Sequence, residues 1–275
     1  VKNKVNSGLS TTRNKGIKIA KSDILIFIDS DIIVDFYFIE KNLKYHEKFN
    51  QDSLAIIGNL STAPEYIDGS NFSKYVESRN LGSRSKRDKK HLNYLNLPCR
   101  YFSGGLCSVK KISMLDAGAY NIKYRFWGSE DVDMGYRLKK IGVKFVFRHD
   151  VKGIHHDDVR LQRFKEKKIE NAREGIPFLI ANHPDYLKDT PRGYLHPFDI
   201  LNENLIVTIK KVVLRIILNP FFIYIIESLM VLTDKIPIFY FHTFYKYLEA
   251  GWYLKGINEK NFGFRKVEYI PEDSI

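Results

Sequence analysis

The chain has 275 residues, 44 Lys plus Arg against 32 Asp plus Glu, and a formal net charge of +12. Apolar residues at 44% and aromatic residues at 14% exclude a mainly disordered chain. Two cysteines are too few for a disulfide framework or a cysteine-based zinc site. No charged-then-apolar leader follows Val1, so we expect a reducing, cytoplasmic setting without a signal peptide.

Helical and strand patterns alternate through residues 8–150 and predict an α/β domain on a mostly parallel sheet. The continuous run of β-formers Ile24–Ile28 predicts a strand buried on both faces. Ser129 is predicted to cap a helix that Gly142 ends. The other predicted elements are strands at Leu54–Ile57 and Val143–Phe147 and helices at 11–20, after Asp35 and at 112–117.

The run from Arg79 to His91 carries six Lys and Arg against one Asp, a net +5. This run predicts either a solvated flexible loop or a site for a phosphate-rich partner. The sequence has no helix-turn-helix, zinc-finger or RRM pattern, so a nucleic-acid partner is not expected.

The composition changes from about Glu203 onward. Leu205–Leu218 is apolar except for three cations on one arc of a helix, and eight aromatic residues lie between Phe239 and Tyr253. The longest uncharged stretch, Ile216–Ile226, has eleven residues, fewer than the roughly 20 that span a bilayer. The pattern predicts peripheral membrane contact through residues 203–255. The alternative is that these helices pack on the α/β domain or on a second subunit.

Two carboxylates, Asp29 and Asp31, follow the Ile24–Ile28 strand directly. Ligands of open α/β sheets bind beyond the carboxyl ends of the strands. A pair of carboxylates there can hold a divalent cation whose other ligands are diphosphate oxygens. His155, in the polar sequence that follows the Val143–Phe147 strand, is either incidental or a further metal ligand.

A second acidic pair, Glu130 and Asp131, lies in the first turn of the predicted helix after Trp127 and Gly128. The helix dipole by itself favours acidic residues there. The Trp-Gly sequence before this turn, together with the glycine pair in 102–105, indicates a sugar-binding site as well, because an indole offers a flat face to a sugar. An ionised carboxylate beside such a face is placed to take a proton from a hydroxyl nucleophile.

Five short motifs follow one another along residues 5–160. They are Gly8-Leu9-Ser10, Arg13-Asn14-Lys15-Gly16, Asp29-Ser30-Asp31, Phe102-Ser103-Gly104-Gly105 and Trp127-Gly128-Ser129-Glu130-Asp131. In this order they resemble the nucleotide-sugar glycosyltransferases of family 2, which have the GT-A fold. The later part is similar to the galactosyltransferase carboxyl-terminal module shared by β-1,4-galactosyltransferases and bacterial chondroitin-polymerase-type enzymes. The resemblance implies a GT-A catalytic domain over 1–160. Beyond it we expect a linking helix and loop over 161–202 and, from the change in composition, an amphipathic, aromatic-rich helical extension over 203–275.

The resemblance also implies a donor site. Mn²⁺ or Mg²⁺, bridging the diphosphate of a UDP-sugar, would be held by Asp29, Asp31 and His155. Arg13 and Asn14 would lie beside the nucleotide.

The resemblance assigns the reacting groups to the second acidic pair. Asp131 would deprotonate the acceptor hydroxyl and Glu130 would bind the acceptor or the donor sugar. The glycines and the indole, namely Gly104, Gly105, Trp127 and Gly128, would line the acceptor and sugar site. Retaining polypeptide N-acetylgalactosaminyltransferases resemble this module but carry Asn in place of Asp131, so a carboxylate here implies inversion.

We therefore expect an inverting, metal-dependent enzyme that moves a sugar to a surface glycan or a lipid-linked acceptor at the inner face of the cell membrane. By the resemblance, the strands that form the nucleotide-base pocket would precede Val1, so these residues alone are expected to bind donor poorly. The alternative is a non-catalytic glycan-binding or scaffolding module.

Overall fold

The structure is a computed structural model that describes residues 7–49, 53–87, 95–125, 127–157, 160–198 and 203–261. Its strands are β1 (Ile24–Ile28), β2 (Ile32–Val34), β3 (Leu54–Thr62), β4 (Leu106–Lys110) and β5 (Lys144–His155). They form one sheet in the order β1-β4-β3-β5-β2.

Helices surround this sheet and form most of the second half of the chain. The first six are α1 (Leu9–Ile19), α2 (Phe38–Lys48), α3 (Asn71–Ser78), α4 (Leu81–Arg87), α5 (Lys111–Asp116) and α6 (Glu130–Lys140). The later six are α7 (Leu161–Glu170), α8 (Ile176–Asn182), α9 (Asp185–Lys188), α10 (Leu205–Ile217), α11 (Pro220–Leu232) and α12 (His242–Asn261). A π-helical turn, Asn171–Gly175, joins α7 to α8. Part of the predicted basic loop is therefore helix α4, and residues 88–91 of that loop lie outside the described residues.

The predicted α/β class is confirmed, but the prediction of a mostly parallel sheet is wrong for the described strands. Only β3 and β5 pair in parallel. β4 lies antiparallel between β1 and β3, and β2 runs antiparallel to β5. Sequence analysis missed β2 and β4, the two strands that make every antiparallel pairing, and so it had no reason to expect reversed directions.

The prediction that β1 is buried on both faces is also wrong. Leu25 is buried, whereas Ile28 is 42% exposed. Within the described residues β1 pairs only with β4 and lies at the edge of the sheet. By contrast, the apolar start of β3, Leu54–Ile57, is buried throughout because β3 lies at the centre.

Two strand registers bring the predicted site residues to one end of the sheet. Ile28 of β1 lies opposite Leu106 of β4, and the backbone N–H of Asp29 donates to the carbonyl of Gly105 at 3.0 Å. Ile32 of β2 lies opposite His155 of β5, which places the preceding residue, Asp31, beside that histidine.

The aromatic belt predicted over residues 239–253 is divided between core and surface: three of its eight aromatic residues are buried, and Phe239 and Phe241 are exposed. Tyr245, Trp252 and Tyr253 of α12 are each 5% exposed or less, because α12 packs against α7, α11 and the π-helical turn. For α12 the alternative of packing on the domain is therefore the correct one. The largest core cluster joins side chains of α6, α8 and α12, so all three predicted segments contribute to it. The segment boundaries themselves stay a prediction.

Two of the three cations of helix α10, Lys211 and Arg215, face the protein, whereas Lys210 is exposed. Lys211 is 3% exposed and donates to the Pro197 carbonyl at 2.8 Å, and Arg215 donates to the His196 carbonyl at 2.8 Å. The opposite arc is apolar and exposed. None of the described helices is long and apolar enough alone to cross a membrane, although α10 and α11, bent by 55°, pass that test of length and composition as a pair.

Candidate active site

A buried arginine connects the two acidic motifs. Arg13 of α1 has a side chain that is 8% exposed. Its guanidinium donates to Asp131 Oδ1 at 2.8 Å and to Asp29 Oδ1 at 3.1 Å. Glu130 Oε1 lies 4.0 Å from the same guanidinium. Residues separated by more than a hundred positions therefore meet in one cluster, and the predicted donor and catalytic residues lie together.

Tyr120, which sequence analysis missed, completes the wall around Arg13. The guanidinium carbon lies 5.1 Å from the centre of the buried Tyr120 ring, a cation–π distance. Burial would lower the pKa of Arg13, but Asp131, Tyr120 and Asp29 outweigh it and raise that pKa above its ordinary value. A single tyrosine outside any motif gives no sequence signal for this contact.

Gly104 and Gly105 let the backbone approach this cluster closely. A Cβ on Gly104 would lie 2.5 Å from Tyr120 Oη and 2.7 Å from the guanidinium carbon of Arg13. A Cβ on Gly105 would lie 2.7 Å from Asp29 Oδ2. Both glycines are thus sterically required beside the charged groups. Their predicted contact with the acceptor or sugar stays a prediction.

Burial perturbs both carboxyl groups at the start of α6. It raises the pKa of Glu130 from 4.5 to about 7, with Asp131 as the second cause. Glu130 Oε2 is buried and has no hydrogen-bond partner among the described residues. Burial also raises the pKa of Asp131, although Arg13 and the backbone N–H of Gly104 oppose the change. Raised carboxyl pKa values in a cleft are typical of groups that transfer protons.

The turn that leads into α6 is strained and held by a side chain from the π-helical segment. Gly128 and Ser129 both have positive φ, at 92° and 73°. A Cβ on Gly128 would lie 2.8 Å from Asn171 Cγ. The prediction that Ser129 caps α6 through its side chain is wrong, because its hydroxyl donates to Asn171 Oδ1 at 2.7 Å instead. Asn171 is a second residue that sequence analysis missed.

The predicted metal trio is only partly assembled. His155 Nε2 lies 3.4 Å from Asp31 Oδ2, and both side chains are partly exposed. Asp29 is instead paired with Arg13. No group of three His, Cys, Asp or Glu side chains within the described residues is close enough to hold an ion. The structure therefore brings together one carboxylate and one imidazole of the three predicted ligands.

Two predicted site residues have contacts that explain their positions. Asn14 donates to the Tyr120 carbonyl at 2.7 Å and accepts from the Tyr120 N–H at 2.8 Å, which fixes α1, and hence Arg13, against that segment. Trp127 is 46% exposed, with Lys167 Nζ 5.3 Å from the centre of its ring. The predicted roles of Asn14 at the nucleotide and Trp127 at the sugar stay predictions.

The raised pKa of Glu130 has a measurable consequence for stability. The folded state holds this proton more tightly than the unfolded state, so the contribution of Glu130 to stability falls as pH rises from about 4.5 through about 7. Glu130→Gln removes this fall. We compare the free energy of unfolding of the Glu130→Gln variant with that of the unaltered protein. The variant minus unaltered difference should rise by up to about 3 kcal/mol as the pH is raised from about 4.5 to about 8.

Urea unfolding at both pH values measures this difference. The exposed Glu40 of α2 is the matched control, and Glu40→Gln should show little change in the difference. An equal effect of Glu130→Gln at both pH values would contradict the raised pKa.

Comparison with known sequences and structures agrees with this geometry. Residues 1–111 match the family described as Glycosyl transferase family 2, and residues 88–172 match the one described as the N-terminal domain of galactosyltransferase. An uncharacterized glycosyltransferase of Bacillus subtilis (strain 168), YfnE, is 25% identical over 220 residues, covering 66% of this chain and 55% of YfnE. The chondroitin synthase of Escherichia coli is 25% identical over 160 residues, covering 50% of this chain and 23% of that enzyme.

A solved structure supports the fold. The mannosyltransferase PcManGT from Pyrobaculum calidifontis, in complex with GDP-Man and Mn²⁺, superposes with a TM-score of 0.51 at 15% identity. The superposition covers 96% of this chain and 69% of that chain. The chain spans about half the length of YfnE and about a quarter of the chondroitin synthase. Two overlapping family matches and a shared fold therefore make this chain similar to family 2 glycosyltransferases over residues 1–111 and to the galactosyltransferase module over residues 88–172.

Proposed function

We propose that the protein transfers a sugar from a nucleotide-sugar donor, a UDP-sugar as the sequence predicts, to a hydroxyl of a glycan or lipid-linked acceptor, with inversion. The observation that supports this most is the cluster in which Arg13 connects Asp131 to Asp29 across 2.8 Å and 3.1 Å contacts. The similarity to chondroitin and hyaluronan synthases supports an acceptor in polysaccharide synthesis.

In this proposal Asp131 accepts the proton of the acceptor hydroxyl. Its buried carboxylate has a raised pKa, which makes it a stronger base than an exposed aspartate. Arg13 donates to that carboxylate at 2.8 Å, which orients it, and opposes the rise in its pKa. Glu130, buried with one unpartnered oxygen, offers a hydrogen-bond partner to a sugar hydroxyl.

Asp31 and His155 fit a divalent cation by their chemistry. A carboxylate and an imidazole 3.4 Å apart are donor types that Mn²⁺ accepts, and their partial exposure leaves room for oxygen ligands from the donor. A bound Mn²⁺ or Mg²⁺ would supply Lewis-acid stabilisation for the departing nucleotide diphosphate. Asp29 forms an ion pair with Arg13, and its side chain is 41% exposed. It stays a predicted ligand.

Release of UDP from a UDP-sugar in the presence of Mn²⁺, without acceptor, tests this function in the natural protein. We expect slow release that a chelator abolishes. Asp31→Asn should lower both the release rate and Mn²⁺ binding, measured by electron paramagnetic resonance, by about tenfold or more because it removes a charged ligand. Asp116→Asn, on the exposed face of α5, is the control. Unchanged metal binding by Asp31→Asn would reject the metal assignment, and no release from any nucleotide-sugar would reject the transferase function.

We also propose that α10 and α11 contact the membrane surface. The support is the orientation of α10, which buries Lys211 and exposes apolar residues such as Leu205 at 74% and Ile216 at 64%. An exposed apolar patch of this size is typical of a protein or membrane contact. The cytoplasmic location stays a prediction.

Charged substitutions on this surface test the contact. Ile209→Asp combined with Phe221→Asp should lower co-sedimentation with anionic lipid vesicles by about tenfold or more, because two apolar side chains leave the interface. Ile112→Asp, on exposed α5, is the control for a change of charge elsewhere. Equal binding by the two variants would contradict the proposal.

A further inference from the structure

A second feature next to the candidate active site is a strongly cationic cavity of 760 Å³. Five cationic side chains line it, against a single carboxylate among the described lining residues, Glu249. The cations are Arg79, Arg84, Arg100, Arg192 and Lys246, so the lining carries a formal net charge of +4. A volume of this size accommodates a small-molecule ligand.

The cavity lies on the side of the site where α6 begins. Ser129 and Val132, which flank Glu130 and Asp131 in sequence, line it together with Trp127. The donor-side residues Arg13, Asp29 and Asp31 do not line it. Glu130 and Asp131 are not among the described lining residues either, so a ligand held here would have to extend past Ser129 to bring a hydroxyl to Asp131.

Most of the cationic charge in the cavity is not neutralised by the protein. Arg79 pairs with Glu249, whose other hydrogen-bond donor is Tyr75 at 2.9 Å. Arg84 and Arg100 form no ion pair with any described residue, and both lie against Tyr101, at 5.7 Å and 5.1 Å from the centre of its ring. One donor of Arg84 is used by the Tyr101 hydroxyl at 3.2 Å, and the other guanidinium donors of the two arginines, which a carboxylate or phosphate can accept from, have no acidic partner among the described residues.

Lys168 lies beside the cavity, next to the Trp127 ring. Its ammonium lies 5.8 Å from the centre of the Trp127 ring. Burial, followed by repulsion from Arg79, lowers the pKa of Lys168 to about 7. An anion bound nearby would act in the same direction as Glu249, which favours the charged form of Lys168.

An apolar surface adjoins the cavity at α12. His242 and Lys246 of α12 line the cavity, and the residues just before α12, Ile238, Phe239 and Phe241, are 80%, 42% and 46% exposed. Cationic groups beside exposed apolar side chains suit a ligand that joins a phosphate to a hydrocarbon chain.

We propose that this cavity binds the phosphate or diphosphate of a lipid-linked acceptor, with the hydrocarbon chain lying along residues 236–241. The proposal deepens the proposed function and rests on it, because it names the class of acceptor that reaches Asp131. Phosphate is favoured over a single carboxylate because the cavity presents several guanidinium groups, and phosphate oxygens accept from more than one of them.

Binding of farnesyl diphosphate, measured by calorimetry in a chelator to remove metal-dependent binding at the donor site, tests the proposal. Inorganic pyrophosphate and farnesol serve as separate ligands. We expect farnesyl diphosphate to bind more tightly than pyrophosphate and farnesol not to bind. The double variant Arg84→Gln and Arg100→Gln should weaken farnesyl diphosphate binding by about tenfold or more, because charge-assisted hydrogen bonds are lost.

The double variant Lys44→Gln and Lys140→Gln removes the same charge at exposed positions of α2 and α6 and should leave binding unchanged. Equal binding by the two double variants would overturn the proposal. Equal affinity for pyrophosphate and farnesyl diphosphate would overturn the lipid assignment and leave a free phosphate as the ligand. UDP release by the unaltered protein is measured in parallel. If that release fails while farnesyl diphosphate still binds through the arginines, the transferase function is rejected and the proposed ligand of the cavity is not.

Discussion

Asp131→Asn is expected to slow sugar transfer by about 10²- to 10⁴-fold, the range typical of a lost general base. The amide retains the size of the side chain and a hydrogen-bond acceptor for Arg13, but it no longer takes a proton. The loss should appear in kcat, with a much smaller change in the KM for the nucleotide-sugar, because Asp29 and Asp31 remain in place. Steady-state transfer to an acceptor, with UDP release as the readout, measures both constants.

Asp116→Asn is the matched control, since Asp116 is an exposed carboxylate at the end of α5. It should retain the unaltered kcat. Urea unfolding of both variants separates a chemical effect from a folding defect. A kcat for Asp131→Asn within about threefold of the unaltered value, far inside the range for a general base, would remove Asp131 from the role of base.

Arg13→Met is expected to lower the free energy of unfolding by about 3–5 kcal/mol, as breaking a buried ion pair usually does. The substitution leaves Asp29, Asp131 and Glu130 close together without the cation that they share. Their mutual repulsion is smaller when they are protonated, so the loss should shrink as pH falls from about 8 to about 5. Urea unfolding at both pH values measures it.

Lys41→Met is the matched control for an ion pair at the surface, where Lys41 and Asp35 are both partly exposed at 27% and 28%. Such pairs contribute about 0–1 kcal/mol, so the control should change little. Arg13→Lys should restore only part of the stability, because an ammonium does not make two divergent contacts as a guanidinium does. A loss from Arg13→Met no larger than that from Lys41→Met would contradict the bridging role of Arg13.

The sequence was sufficient to predict the acidic motifs and the elements beside them, but not the convergence of those motifs on Arg13. Asp29 follows β1 as predicted, and Glu130 and Asp131 open α6 as predicted. Local patterns succeed here because a continuous apolar run is enough to predict the strand, and an apolar stripe at helical spacing is enough to predict the helix. The meeting of Arg13 with Asp131 was not predicted, because no local pattern connects positions 118 residues apart and the resemblance placed Arg13 at the nucleotide.

The remaining features depend on tertiary contacts. Tyr120 and Asn171 belong to no motif. Tyr120 contacts Arg13 of α1, and Asn171 accepts from Ser129 at the start of α6, so both contacts join residues that are distant in sequence. The aromatic residues of α12 have the composition of a membrane belt, yet Tyr245 and Trp252 are buried because α7 and α11 cover them. For α10, composition predicted an amphipathic helix, but only the structure shows that Lys211 faces inward.

Proton NMR of the transfer reaction tests the central claim most directly. The anomeric signal of an α-linked UDP-sugar is followed together with that of the glycoside formed by the natural protein. If Asp131 is the base of a direct displacement, the donor signal disappears and the new linkage has the β configuration. A product with the α configuration, or a donor signal that persists with acceptor and Mn²⁺ present, would contradict the account.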